Sequence, residues 1–187
     1  MDTSVKLPSS SYDELAKIIM GYGNFSKEGS LSDIAKIVGV GTTVVSGNSG
    51  FLLGVGIVEG GNKKKITSLG NRLAKAIEHS QEEETGRLWR EVAEENEFLK
   101  SLVASVRIRR GMDDGALRSH VAFSAGQSKT QAVRTGSGTV IEILKKAGLL
   151  REEDGKLVAD SQPPTLPSKA VDEASSNIQM TRMNLLV

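Results

Sequence analysis

Three consecutive lysines at positions 63 to 65 follow a Gly-Gly-Asn sequence and precede a helix-like segment that contains Arg72. No acidic residue occurs from Gly60 to Ala76, so this stretch carries only positive charge. A basic turn of this kind can lie along the phosphate backbone of a nucleic acid, where each cation displaces counterions and lowers the free energy of binding. The alternative is a solvent-exposed hairpin tip that lysine keeps soluble.

Two further groups of polar side chains suit contacts with a nucleic acid. One lies on a predicted helix that begins near Thr42, and the other lies at the start of a predicted helix near Thr130. Short hydroxyl and amide side chains can form hydrogen bonds with phosphates and with base edges. The predicted nucleic-acid contacts are Thr42, Thr43, Ser46, Asn48, Ser49, Lys63, Lys64, Lys65, Arg72, Lys129, Gln131 and Arg134.

Other chemistry finds little support in the sequence. There is no cysteine, and the two histidines, His79 and His120, have no partners at metal-ligand spacing. The glycine-rich segments match neither a phosphate-binding loop nor a dinucleotide fingerprint, and no serine lies in a recognisable nucleophile elbow. We therefore expect no catalytic residue, no metal and no cofactor, and we predict that the protein is not an enzyme.

Helical patterns precede the lysines. Ser11 with Glu14, and Ser30 with Asp33, have the spacing of capping boxes, and apolar residues follow each pair at three- and four-residue intervals. Glycines weaken the helix from Thr42, each by roughly 1 kcal/mol, so that helix is either loosely formed or closely packed. The segments GIVEGG and KKITSLG predict two short strands joined by a turn, and an amphipathic helix follows them.

The region from Leu31 to Leu73 resembles the winged helix-turn-helix family. LSDIAKIVGV is similar to the first helix of the pair, and GTTVVSGNSGFLLGVGIVE is similar to the recognition helix and the strand after it. GGNKKKITSLGNRLA is similar to the wing and the helix that follows it. The resemblance implies DNA binding, with the three lysines in the wing.

The same order of elements recurs in the second half of the chain, where GLL at 148–150 matches GIV at 56–58. The second hairpin turn is acidic, because it contains Glu153 and Asp154. We therefore predict a mainly α protein with small β-hairpins, an α+β fold with two winged helix-turn-helix modules joined by a long helix. The predicted parts are module 1 (1–80), the connecting helix (81–110), module 2 (111–160) and a proline-rich linker with an apolar tail (161–187). For the connecting helix, a break near Glu95-Asn96 is an alternative.

These patterns predict a DNA-binding protein, for which transcriptional regulation is one role. The alternative is a tandem winged-helix scaffold that binds a protein partner, which the acidic second hairpin and the net charge of +1 favour. The broad apolar stripe of residues 88–106 and the apolar end of the chain predict a homodimer. The longest apolar runs are too short to span a membrane, so we expect a soluble, cytoplasmic protein.

Overall fold

The computed structural model of the chain describes residues 5–25 and 27–160. Within these residues the fold is mainly helical, with eight helices and two small antiparallel hairpins, which confirms the predicted α+β class at this level. The elements, in chain order, are α1 (Tyr12–Gly23), α2 (Leu31–Val38), α3 (Thr42–Gly54), β1 (Val58–Gly60), β2 (Lys64–Ile66), α4 (Ser68–Glu78), α5 (Glu82–Glu95), α6 (Glu97–Ile108), α7 (Asp114–Ser124), α8 (Gln131–Lys146), β3 (Leu150–Glu153) and β4 (Lys156–Ala159).

Side-chain caps define the starts of the first two helices. At α2 the Ser30 hydroxyl accepts from the Asp33 amide at 3.2 Å, and the Asp33 carboxylate accepts from the Ser30 amide at 2.9 Å. This is the predicted capping box, and it satisfies two amides that the helix itself leaves without a partner. At α1 the Ser11 hydroxyl accepts from the Glu14 amide, so Ser11 is the predicted N-cap.

One structural arrangement occurs twice along the chain: a helix, a single bridging residue, two helices and a hairpin. In the first half, α1 precedes Gly29, whose amide and carbonyl both bond with Lys64 of β2 at 2.9 Å. In the second half, α6 precedes Met112, which bonds in the same way with Leu157 of β4 at 2.9 and 2.8 Å. In each half, therefore, a single residue pairs with the second strand of the hairpin and connects the hairpin to the start of the two helices that precede it.

The connecting segment over 81–110 has the break that the sequence left as an alternative near Glu95-Asn96, because the chain forms two helices that meet at Asn96. This residue has an extended conformation, with φ −100° and ψ 116°, and its side chain accepts from the Leu99 amide at 3.1 Å. The side-chain Nδ2 of Asn96 also donates to the Gly54 carbonyl at 3.1 Å. The N-cap at Asn96 thus ends α5, begins α6 and fastens the bend to the end of α3.

The buried apolar residues form one continuous cluster that extends from Leu7 to Leu157. At its centre, the fully buried Trp89 of α5 donates from its indole nitrogen to the Tyr12 hydroxyl of α1 at 3.0 Å. The Lys146 ammonium of α8 lies 4.8 Å from the centre of the Tyr12 ring. Burial raises the pKa of Tyr12 to about 12, so this tyrosine is neutral in the folded protein.

The module boundaries stay predictions.

Residues 5–10, here called the N-terminal strap, run between α3 and α8. On the α3 side, Asn48 accepts from the Ser9 amide at 3.1 Å and donates to the Ser10 hydroxyl at 2.8 Å. On the α8 side, the Thr139 hydroxyl donates to the Ser10 carbonyl at 2.6 Å. The strap therefore joins the third helix of the first arrangement to the equivalent helix of the second.

Glycine makes this close approach of backbones possible. A Cβ atom at Gly136 of α8 would lie 1.9 Å from the Pro8 carbonyl oxygen, and one at Gly47 of α3 would lie 2.2 Å from the Ser9 hydroxyl oxygen. Both distances are far shorter than any tolerable contact. Of the two interpretations of the glycine-rich helix, close packing is therefore the one that the structure supports.

We predict that Gly136→Ala lowers the free energy of unfolding by about 1–3 kcal/mol, because overpacking against a backbone carbonyl outweighs the more favourable helix propensity of alanine. Gly54→Ala is the matched control, since no neighbouring atom lies within 4 Å of a Cβ there. This control leaves the stability unchanged or raises it by up to about 1 kcal/mol. Urea unfolding measures both, and equal stability of the two variants would contradict the tight strap contact.

Candidate nucleic-acid interface

The first hairpin presents its three lysines in different ways. Lys65 lies opposite Glu59 in the strand pairing, and its ammonium is 3.3 Å from that carboxylate. The Lys64 ammonium donates to the Gly61 carbonyl at 2.8 Å, whereas the Lys63 side chain is exposed and, among the described residues, forms no ion pair. The sequence pattern missed the role of Glu59, which lies just before the acid-free stretch and is brought back to it by the hairpin.

Arg72 lies one turn into α4 and faces Glu91 of α5. Its two terminal nitrogens each lie 3.5 Å from a carboxylate oxygen of Glu91. The pair is solvent-exposed, and exposed ion pairs contribute only about 0.2–1 kcal/mol to stability. A phosphate group can therefore compete with Glu91 for this guanidinium.

The predicted residues on α3 divide into two groups. Thr42, Thr43 and Ser46 are exposed, as contact with a ligand requires. Asn48 and Ser49 are buried, with 0% and 5% of their surface exposed, so the prediction that these two contact a nucleic acid is wrong.

The buried pair instead satisfies hydrogen bonds within the fold. Asn48 bonds to the strap and also donates to the Val44 carbonyl at 2.8 Å, while the Ser49 hydroxyl donates to the Val45 carbonyl at 2.8 Å. Residues at 46, 48 and 49 lie on different faces of a helix, because each step rotates the side chain by about 100°. All three residues are polar, so polarity alone could not distinguish the exposed Ser46 from the buried Asn48 and Ser49.

In the second half, the structure brings Lys129, Gln131 and Arg134 together on the exposed start of α8. They line a groove of about 340 Å³ between α7 and α8. Arg118 of α7 lies in the same groove, and it was not among the predicted contacts. The four-residue spacing of Asp114 and Arg118 in the sequence predicts an ion pair on one helix. The sequence does not indicate that Arg118 packs against α8.

A second cleft, of about 370 Å³, joins α3 to α8 across the N-terminal strap. Lys6 and Ser46 line this cleft on one side, and Gln127 lines it on the other. Val133 lines both this cleft and the groove that contains Lys129 and Arg134. The exposed side of α3, the strap and the start of α8 are therefore parts of one continuous surface.

The electric field of the helices favours an anion at the same places. Among the helices of the described residues, α1, α2, α5, α6 and α7 each carry an acidic residue in the first turn. In contrast, α3, α4 and α8 carry none, and these three contain the predicted contact residues other than the three hairpin lysines and Lys129, which lies just before α8. A helix start has a partial positive charge, and without a carboxylate it is left free to attract a phosphate.

The second hairpin differs from the first in charge. Its Glu153 binds Arg151 at 2.8 Å, and its Glu152 lies 3.8 Å from Lys145 of α8. Lys156, which lies opposite Glu153 across the turn, is exposed and forms no ion pair among the described residues. With three acids (Glu152, Glu153, Asp154) against Arg151 and Lys156, residues 150–159 still carry a net negative charge. The two hairpins therefore cannot contact a polyanion in the same way.

No family model, curated protein or solved structure matches this chain. Within the residues that the structure describes, no group of side chains has a composition and spacing suited to a metal ion. No single described helix is long and apolar enough to cross a membrane; α2 and α3 reach that length and composition only together, and a bend of 112° separates them. The proline-rich linker and apolar tail predicted for 161–187 lie outside the described residues.

We predict that Asn48→Ala destabilises the protein by about 1–3 kcal/mol, because it leaves the Ser9 amide and the Ser10 hydroxyl without their partner. Ser46→Ala, two positions away on the exposed side of the same helix, changes stability by less than about 0.5 kcal/mol. Thermal or urea unfolding of both variants measures the difference. An Asn48→Ala protein as stable as Ser46→Ala would return Asn48 to the list of candidate contacts.

Proposed function

We propose that this protein binds duplex DNA through the first hairpin and through the exposed starts of α3 and α8. In this proposal the two repeated arrangements are winged helix-turn-helix modules, and transcriptional regulation is one role that such binding would serve. The observation that carries the proposal is the coincidence of exposed polar or basic side chains with the three helix starts that lack an acid. A polyanion is the ligand that gains most from this distribution of charge.

The corrected site is smaller than the one predicted from sequence. Lys63 and Lys64 are the lysines of the first hairpin that are not held by a carboxylate in the described residues, and Thr42, Thr43 and Ser46 are the remaining contacts on α3. Lys65 and Arg72 contribute only if phosphate displaces Glu59 and Glu91. This arrangement supports backbone contacts more strongly than base reading, because most of its cations lie on a turn or at helix starts.

A double variant tests the role of the hairpin. Lys63→Ala with Lys64→Ala should weaken binding to all duplex sequences alike, and should lower the slope of log K against log salt by about 1.8, roughly 0.9 for each phosphate that the hairpin no longer neutralises. Its stability should stay within about 0.5 kcal/mol of the parent. Fluorescence anisotropy with a labelled duplex at several salt concentrations measures the affinity and the slope.

The matched control is Lys17→Ala with Lys75→Ala, which removes two exposed lysines from helices α1 and α4. This control should keep the parental salt slope to within about 0.5, because neither lysine lies on the hairpin. If the hairpin variant and the parent had the same slope of log K against log salt, the two lysines would not contact DNA and would serve only to keep the hairpin turn soluble. A parent that fails to bind duplex DNA even at low salt would refute the proposed function.

A scaffold that binds another protein is the second candidate function. It is favoured by two large apolar side chains in the second half, Phe123 of α7 and Ile108 of α6, each 82% exposed. The acidic second hairpin and the net charge of +1 also suit a protein partner better than a polyanion. The salt titration separates the two functions, because a scaffold has no salt-dependent affinity for duplex DNA. The predicted homodimer and the cytoplasmic location stay predictions.

A further inference from the structure

The second half of the protein has an acidic hairpin, so a nucleic acid would need a different point of contact there. The groove between α7 and α8 brings several cations together, and no carboxylate lines it, although Asp114 binds Arg118 beside it. It contains Arg118 from α7, with Lys129 and Arg134 from the start of α8. Hydroxyl groups of Ser119 and Thr130 complete its polar lining.

We propose that this groove binds a phosphate oxyanion, held by Arg118, Lys129 and Arg134, and that a phosphate of the DNA backbone is its source. The DNA as source rests on the function proposed above, whereas the binding of phosphate itself does not. A planar guanidinium can offer two parallel N–H donors to one phosphate, and an ammonium adds a third charge-assisted bond. Three cations from two elements make a more selective site than a row of surface lysines.

Arg118 is held in place before any ligand arrives. Its Nε lies 2.5 Å from an Asp114 carboxylate oxygen, and its Nη1 donates to the Arg134 carbonyl at 3.4 Å. The guanidinium lies against α8 at Gly138, where a Cβ would come within 2.1 Å of Nη1. Glycine at 138 therefore lets the arginine cross from α7 to α8, and this crossing forms one wall of the groove.

Lys129 and Arg134 differ from Arg118 in having no such partner. Within the described part of the chain neither takes part in an ion pair, whereas Arg118 pairs with Asp114. Both are exposed, and the first turn of α8 carries no acid to balance them. An anion that enters the groove is attracted by both cations, which gives binding a direct electrostatic contribution.

The test uses the full chain and two probes. Inorganic phosphate is titrated into ¹⁵N-labelled protein at constant ionic strength, with chloride as the reference, and a duplex DNA is titrated by anisotropy. The expected result is saturable phosphate-dependent shifts at residues 118 and 129–134. The variant Lys129→Gln with Arg134→Gln should weaken phosphate binding by roughly tenfold. It should also lower the salt slope of DNA binding by about 1.8.

Lys145→Gln is the matched control, because Lys145 is an exposed cation of the same helix that does not line the groove; it lines the neighbouring cleft, which Arg118 also borders. It should bind phosphate as the parent does. Gly138→Ala provides an independent variant that keeps all three charges but displaces Arg118, and it should also weaken phosphate binding.

The outcomes separate this inference from the proposed function. Phosphate-dependent NMR shifts in the groove without any DNA binding would support the phosphate site and refute the DNA proposal. The phosphate that binds there would then come from a small phosphorylated molecule. DNA binding that the Lys129→Gln with Arg134→Gln variant leaves unchanged, with no phosphate shifts in the groove, would overturn the site and leave the DNA proposal standing. Phosphate shifts that Lys145→Gln and the double variant weaken equally would also overturn the site.

Discussion

The contact between the N-terminal strap and the glycines of α3 and α8 is the constraint on which the relative position of the two halves depends. The Pro8 carbonyl lies so close to Gly136 that no larger residue fits, and Asn48 binds the strap from the other side. Together with the Trp89–Tyr12 hydrogen bond, this packing makes one core out of two repeated arrangements. The exposed starts of α3 and α8, through which we propose that the protein binds DNA, are thus held at a fixed spacing.

The same constraint explains a conflict between local and global preferences. Glycine within a helix costs roughly 1 kcal/mol relative to alanine, and α3 contains several glycines. The cost is offset by the close packing of the strap residues Ser9 and Lys6 that Gly47 and Gly50 allow. A helix with this composition is poorly suited to insert many side chains into a groove of DNA. It is better suited to hold a neighbouring segment.

Elements with strong local signals were predictable from sequence. The Ser30–Asp33 capping box, the hairpins and the helical class depend on residues close together in the chain, and each was predicted correctly. A break near Asn96 was indicated by the sequence, but the hydrogen bond from its side chain to Gly54 could not be predicted, because Gly54 is far away in sequence. The burial of Asn48 could not be foreseen for the same reason, since its partners are in the strap.

The candidate site shows the same limit. Thr42, Thr43 and Ser46 were predicted together with Asn48 and Ser49, and only the fold separates the exposed residues from the buried ones. The pairing of Arg72 with Glu91 likewise required α4 and α5 to pack. Arg118 was overlooked because its role depends on Gly138, twenty residues along the chain and on another helix. Charge counted along the sequence therefore located the basic regions, whereas the free cations could be identified only after the fold had paired the others.

The most direct test of the account is to map the backbone amides that respond when a short DNA duplex is added to ¹⁵N-labelled protein at low salt. The account predicts shifts at residues 42–46, 61–64 and 129–134, with little change at the second hairpin, 150–159. These responses should fade together as salt is raised, because all three regions contact phosphates. Shifts confined to the neighbourhood of Ile108 and Phe123, or no shifts at all, would contradict it.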